Sequence, residues 1–352
     1  GAKYDGEGDA GIVNIITKKA IIDGYNATLS GMAGNKAVRS SLNIKIGKGK
    51  FGLSARGGTY GSWPGRIGTY SYERADWTST DENGDPINKN ILKEEGTSES
   101  YYQGYRGSIN AFYDVNTYNS LNSSFSFGGR TKPREVIDTV DYIHGTIPDS
   151  SYKSFYSSDK TDRTLNMEWT TDYTKKFANH EDRELTMAFQ LGGDINDGDT
   201  DINESNFNNR GELKFLNKNK ERVIEETFQI DYTHPFGKKS SKEKKSINEL
   251  KNNYSGIGKR GNKGKKGKKE SNSNKLEIGT KLINRDRQID YSDTQNSALL
   301  YKEAFDYNQL VAASYLSSEF NLPFSIGIKT GLRHEYTKVS GNWQNQSDSN
   351  FT

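Results

Sequence analysis

The sequence predicts an all-β fold: an antiparallel wall of amphipathic strands, with one face suited to lipid and the other to a wet lumen. Three observations predict it. Period-2 alternation of apolar and polar residues recurs along the chain, whereas helical periodicity is hard to find. Many of the alternating runs are near the ~9–11 residues that cross a bilayer when tilted. The connections between runs largely alternate between short turns and long polar stretches, as at the two rims of a membrane β-barrel.

Composition sets the frame. Hydrophobic residues make up 31% of the 352 residues, low for a globular core. An aromatic content of 11% nevertheless excludes the disordered class, which is poor in such residues. The 49 basic and 46 acidic residues leave a net charge of +3, which favours no particular partner, and nucleic acid is not expected. The absence of cysteine fits many compartments, an oxidising periplasm among them. No run approaches the ~20 consecutive apolar residues of a membrane helix. Gly1 opens inside what reads as a folded segment, so any export signal is expected upstream of it.

In chain order, alternation predicts strands near 25–33, 38–46, 51–60, 104–114 and 119–129. Leu165, Met167, Trp169 and Tyr173 then oppose Asn166, Glu168, Thr170 and Asp172. Leu185, Met187, Phe189 and Leu191 oppose Thr186, Ala188 and Gln190. Further strands are expected near 226–233, 275–283 and 305–320, the last with ambiguous faces. The clearest run is 324–337, where Phe324, Ile326, Ile328, Leu332 and Tyr336 share a face opposite Gly327, Lys329, Arg333 and Glu335. That makes about eleven strands by the period-2 criterion. Tight turns are expected at Gly47–Lys50, Val115–Tyr118 and 174–182, and long loops at 60–103, 130–162 and 194–224. Two connections break the rule, the short 34–37 and the long 235–274. A soluble antiparallel sheet also alternates, but has no reason to sort its connections in this way.

The N-terminal run Tyr4-Asp5-Gly6-Glu7-Gly8-Asp9-Ala10-Gly11-Ile12-Val13-Asn14-Ile15-Ile16-Thr17-Lys18-Lys19 resembles the end of the plug domain of TonB-dependent outer-membrane receptors. In that family a Gly-rich turn leads into a strand of the form G-[IV]-[IV]-N-I-x-T-K-K, here carried by Gly11, Asn14, Thr17 and Lys18. Asp231-Tyr232-Thr233-His234-Pro235-Phe236 with Lys275–Gly279, and Gly331–Thr337, resemble the barrel of the same family in its Bacteroidetes-type branch. The resemblance implies a plug end at 1–22 and the N-terminal half of a barrel at 23–352, in the outer membrane of a Gram-negative bacterium. Barrels of this class close with about 22 strands, so the chain is expected to reach about mid-barrel. A Lys/Gly/Ser tract at about 238–274 is too charged and too poor in apolar residues to offset the entropy of ordering, so it reads as a disordered insert.

The resemblance implies active uptake of a scarce, bulky nutrient, with the TonB energy-transducing complex, outer-membrane lipid and the unknown nutrient as partners. TonB contact would run through plug sequence upstream. The alternatives are a non-transporting barrel for binding or adhesion, or a soluble β-rich carbohydrate-binding domain. No covalent chemistry, catalytic residue or cofactor is expected. Gly47-Lys48-Gly49-Lys50-Phe51-Gly52 matches a dinucleotide-binding pattern, but an extended run follows where that pattern needs a helix. Asp194, Asp197, Asp199, Asp201 and Glu204 lack EF-hand spacing, and His144, His180, His234 and His334 lack zinc spacing. No metal is expected. The candidate ligand contacts are Trp63, Arg66, Tyr70, Trp77, Tyr101 and Tyr102, residue types that concentrate energy at recognition surfaces or, alternatively, form an interfacial girdle.

Overall fold

The computed structural model describes residues 23–77, 82–83, 89–145, 151–178, 180–206, 211–236, 274–322 and 326–344. The plug-like motif, including Gly11, Asn14, Thr17 and Lys18, and the basic tract up to residue 273 lie outside them. The described residues contain strands and no helix.

The strands are β1 (Gly24–Ala33), β2 (Ala37–Lys48), β3 (Phe51–Ser62), β4 (Ile67–Trp77), β5 (Lys89–Ser100), β6 (Gln103–Asn116) and β7 (Asn119–Ile143). They continue with β8 (Tyr152–Phe177), β9 (His180–Asn206), β10 (Glu212–Phe236), β11 (Asn274–Gln295), β12 (Ala298–Leu322) and β13 (Ile326–Gln344). All pair antiparallel in one sheet, along an eleven-strand path β1-β2-β3-β6-β7-β8-β9-β10-β11-β12-β13. Each of the eleven runs expected from alternation lies on this path.

β4 and β5 stand off the path, paired with each other, while β5 also pairs with the distal half of β7. β5 and β6 together line β7 from end to end, β5 against residues 134–143 and β6 against 119–131. They are in effect one long strand, broken at Tyr101–Tyr102. β3 and β4 form the matching broken strand, interrupted at 63–66, where Pro64 lacks a donor and Gly65 takes φ +88. The stretch 60–103 was expected to be a loop; most of it is this hairpin.

The same correction applies to 130–162 and 194–224. β7 to β10 run 25, 26, 27 and 25 residues, well past the ~9–11 needed to cross a bilayer. Beyond the apolar band the chain stays paired because ladder bonds satisfy its backbone polar groups. Water bathes both faces there, so charge appears on both. Arg163 meets Asp199 at 2.7 Å, and Lys153 lies 3.5 Å from Asp141.

Register explains the wall. Residues directly paired across strands share a face, and one apolar row can be followed through Leu29↔Leu42, Ile44↔Ala55, Ala55↔Ile109, Ile109↔Phe125 and Phe125↔Trp169. It continues through Trp169↔Leu191, Phe189↔Phe228, Phe228↔Leu282, Ile278↔Leu316 and Leu316↔Leu332. A slip of one residue at any junction would have reversed the faces; the register shifts, at Asp114/Asn116, Lys176/Phe177 and Asp293/Thr294, all lie at strand ends away from this row. Leu332 is 74% exposed and Ile278 51%, so this face packs on no other layer among the described residues. Such a continuous apolar surface calls for a non-aqueous neighbour. Two of its polar groups are bonded within the sheet: the Trp169 indole donates to Ser123 Oγ at 3.0 Å, and Thr280 donates to the Ala313 carbonyl at 3.1 Å. Near the short-turn rim, Phe177 meets Tyr232 and Phe236 meets Phe320 edge-on, the aromatic girdle of a membrane interface.

Gly49, at φ +57, makes the β2–β3 turn where the nucleotide pattern was weighed. At the same rim β10 pairs with β11 down to Phe236↔Asn274, so the flanks of the basic tract are neighbours.

Candidate functional site

The face opposite the apolar one is mostly polar, apart from a small buried apolar cluster of Ile283, Val311, Ala313 and Tyr315 between β11 and β12. Its side chains bond across strands: Asn122 to Asp172 at 2.7 Å, Ser124 to Asn110 at 2.6 Å, Gln190 to Glu168 at 3.2 Å and Ser317 to Glu277 at 3.1 Å. Arg285 pairs with Glu225 at 2.5 Å and also donates to Gln309 at 3.1 Å. Arg287 pairs with Glu221 at 2.5 Å, and Arg333 with Glu335 at 2.7 Å. This face can hold water and polar solutes along its length.

Three arginines on it differ from these. Arg56 of β3, Arg106 of β6 and Arg130 of β7 step diagonally, one strand across and two residues along at each step, as the pairs Arg56↔Ser108, Arg106↔Gly128 and Gly104↔Arg130 fix. All three are exposed, and together with Tyr60, Ser108 and Asn166 they line one open cleft. Arg56 Nε donates to Asn43 Oδ1 at 2.6 Å. No ion pair among the described residues involves any of the three.

Of the residues expected to contact ligand, Trp63 and Arg66 sit in the break between β3 and β4, and Tyr101 and Tyr102 in the break between β5 and β6. The two breaks are adjacent: the Ser62 N–H donates to the Tyr102 carbonyl at 2.9 Å, and the Tyr102 N–H to Ser62 Oγ at 3.0 Å. Trp63 is 45% exposed, with its indole N–H bonded to the Gly34 carbonyl at 2.7 Å. Tyr102 packs on Tyr60 at 6.2 Å between ring centroids. Trp77 ends β4 opposite Lys89, at the far end of the hairpin. Tyr70 sits mid-hairpin, and its hydroxyl donates to the buried Asp138 carboxylate and lies 3.2 Å from Glu94. Burial, reinforced by the bond to Asp138, pushes the Tyr70 phenol above its ordinary range. The structure thus gathers Trp63, Arg66, Tyr101 and Tyr102 at one level, engages Tyr70 in holding the hairpin, and separates Trp77.

The arginine diagonal was missed because β3 and β6 are brought together only by skipping over the β4–β5 hairpin. Its only sequence signal was arginine at polar-parity positions of three strands. Asp194, Asp197, Asp199, Asp201 and Glu204 lie along β9, and no group of metal-binding side chains occurs among the described residues.

Residues 267–352, which include β11 to β13, match the model of the outer membrane protein beta-barrel family. No curated protein matches the chain. A solved structure, that of the Ralstonia pickettii toluene transporter TbuX, is similar at 9% identity and a TM-score of 0.22, covering 87% of this chain and 80% of that one. That likeness is too low to bear on function. The largely apolar face of the eleven-strand wall and the family match of its last strands make this chain a strand-built protein of the outer membrane.

Proposed function

We propose that this chain forms part of the wall of a plugged barrel that imports a scarce, bulky nutrient across the outer membrane, driven by TonB. The observation that carries this reading is the open wall. β1 and β13 each pair on one side only among the described residues, so eleven strands leave two free edges, which further strands of a larger barrel would cover. Barrels of about 22 strands are the plugged transporters. The plug-like run before β1, with Gly11, Asn14, Thr17 and Lys18, supports the same reading. In it the hairpin rim faces outward, and Trp63, Arg66, Tyr101 and Tyr102 belong to the capture surface, with Tyr70 and Trp77 above them. Capture and release then differ in ligand affinity, and TonB acts on the plug to shift between them.

The length of β7 to β10 favours a second reading, a barrel whose tall hairpins bind or adhere without import. Uptake separates the two. A strain lacking the full-length protein should lose growth on one limiting nutrient class among iron chelates, cobalamin, oligosaccharides and peptides. Removing TonB should produce the same loss. Unchanged growth and uptake on all four classes would leave the adhesive reading.

A further inference from the structure

Only some arginines on the polar face find a carboxylate. Arg285, Arg287 and Arg333 do so, each within 2.7 Å. Arg56, Arg106 and Arg130 do not, although Glu168 stands in the Arg56 row one strand beyond Ser126, where it accepts from Gln190 instead. Both direct neighbours of Arg106 across the sheet are glycines, Gly58 and Gly128, so no side chain stands in register beside it, and Asn166 reaches over Gly128 from the next strand. Strand spacing and rise put successive members of the diagonal roughly 8 Å apart at Cα. Arginine side chains can converge across that distance. Each guanidinium carries five donors in a fork that matches two oxygens of a carboxylate or phosphate. Tyr60 lies over Gly104 beside Arg130, with Tyr102 on its ring, and closes the distal end of the row.

We propose that the Arg56–Arg106–Arg130 diagonal is a binding site for a solute bearing at least two acidic groups, carboxylate or phosphate, held against the polar face of the wall. This deepens the import reading by naming a substrate class, and it rests on that reading for the polar face being the side a solute meets. Binding itself needs no energy coupling, so it is measured apart from uptake.

The test is calorimetric titration of the full-length protein in detergent with inorganic pyrophosphate and with citrate, using acetate as the single-charge comparison. The wild type should bind pyrophosphate or citrate at least tenfold more tightly than acetate, and more weakly as salt rises. The R56Q/R106Q/R130Q variant should lose at least tenfold in affinity. R106K, which keeps the charge and loses the fork, should fall between them. K45Q, on the polar face but off the diagonal, should bind as wild type. Equal affinity in the triple variant and wild type would overturn the proposal. So would a wild type that binds neither polyanion while the triple variant unfolds at lower temperature, because the arginines would then be held by carboxylates of the protein itself. Failure of uptake with polyanion binding intact would count against import and leave the site standing.

Discussion

Tyr315 donates its hydroxyl proton to Asp231 at 2.5 Å from two strands away, reaching over Gly279 on the strand between them. Asp231↔Gly279 and Gly279↔Tyr315 are in register, and a Cβ on Gly279 would overlap both the Asp231 carboxylate and the Tyr315 ring. Gln229 donates to the second Asp231 oxygen at 2.7 Å, so the buried carboxylate is bonded at both oxygens. The arrangement recurs in Tyr70, Gly96 and Asp138, where Tyr70↔Gly96 and Gly96↔Asp138 are again in register. In both places a tyrosine clasps three strands through the gap a glycine leaves.

Gly279→Ala should therefore destabilise the full-length protein by roughly 1–3 kcal/mol through overpacking. Tyr315→Phe should cost about 1–3 kcal/mol by leaving the buried Asp231 short of a donor. Gly31→Ala, with nothing within 4 Å of the added methyl group, is the control. Urea unfolding in detergent reads all three, and equal midpoints for Gly279→Ala and Gly31→Ala would dissolve the clasp.

The raised Tyr70 pKa has a direction in pH. A phenol whose folded pKa lies above its unfolded value of about 10 favours the folded form at neutral and mildly alkaline pH, and that contribution is lost as pH rises beyond 10. The outer hairpin of wild type should loosen above that pH, read as faster amide exchange in β4 and β5. Tyr70→Phe should loosen it at neutral pH and remove most of the alkaline step. An alkaline step of the same size in Tyr70→Phe would assign the effect to another group.

Phe189 pairs with Phe228 and meets Trp169 edge-on, on the apolar face, while Gln190 pairs with Thr170 and Thr227 on the polar one. Phe189→Arg should cost roughly 2–4 kcal/mol near the membrane midplane and sharply reduce assembled protein in outer-membrane fractions. Gln190→Arg should assemble nearly as wild type. Similar yields from the two variants would contradict a lipid-facing surface.

Phe236↔Asn274 closes the β10–β11 ladder beside the basic tract. Replacing residues 238–273 with Asn-Gly should leave assembly intact. For a flexible chain, loop closure costs about 0.6 kcal/mol per doubling of length, so the shortened protein should be more stable by roughly 2–3 kcal/mol. A failure to assemble would show that the tract is structural. In the proposed orientation it also stays unlabelled by impermeant amine reagents on intact cells.

What was legible in the sequence follows from where the membrane imposes alternation. Leu185, Met187, Phe189 and Leu191 announced their face because their polar-face neighbours are Thr186, Ala188 and Gln190. The faces at 305–320 were ambiguous for a physical reason. Val311, Ala313 and Tyr315 are buried on the polar face by packing against β11, so both faces of β12 carry apolar residues. β4 and β5 were invisible because Tyr70, Tyr72, Glu94 and Glu95 lie beyond the membrane band, where pairing demands no polarity pattern. Trp63, Arg66, Tyr101 and Tyr102 could be picked out by type, but their meeting depends on the paired breaks in two strands.

The order of strands in space has a kinetic meaning. Except for β3 beside β6 and β5 beside β7, every pairing joins strands adjacent in sequence. The wall can therefore zip one strand at a time, each arriving on a template already laid down and most closing only a short chain segment, β11 alone joining its predecessor across the long tract after Phe236. The β4–β5 hairpin is a second interruption, because β3 and β6 pair only across it. At every stage a single raw edge leads the growth, and that edge can recruit the next strand of this chain or a stray one. Assembly in the cell is thus a contest over that edge, won by whichever strand is tethered closest to it.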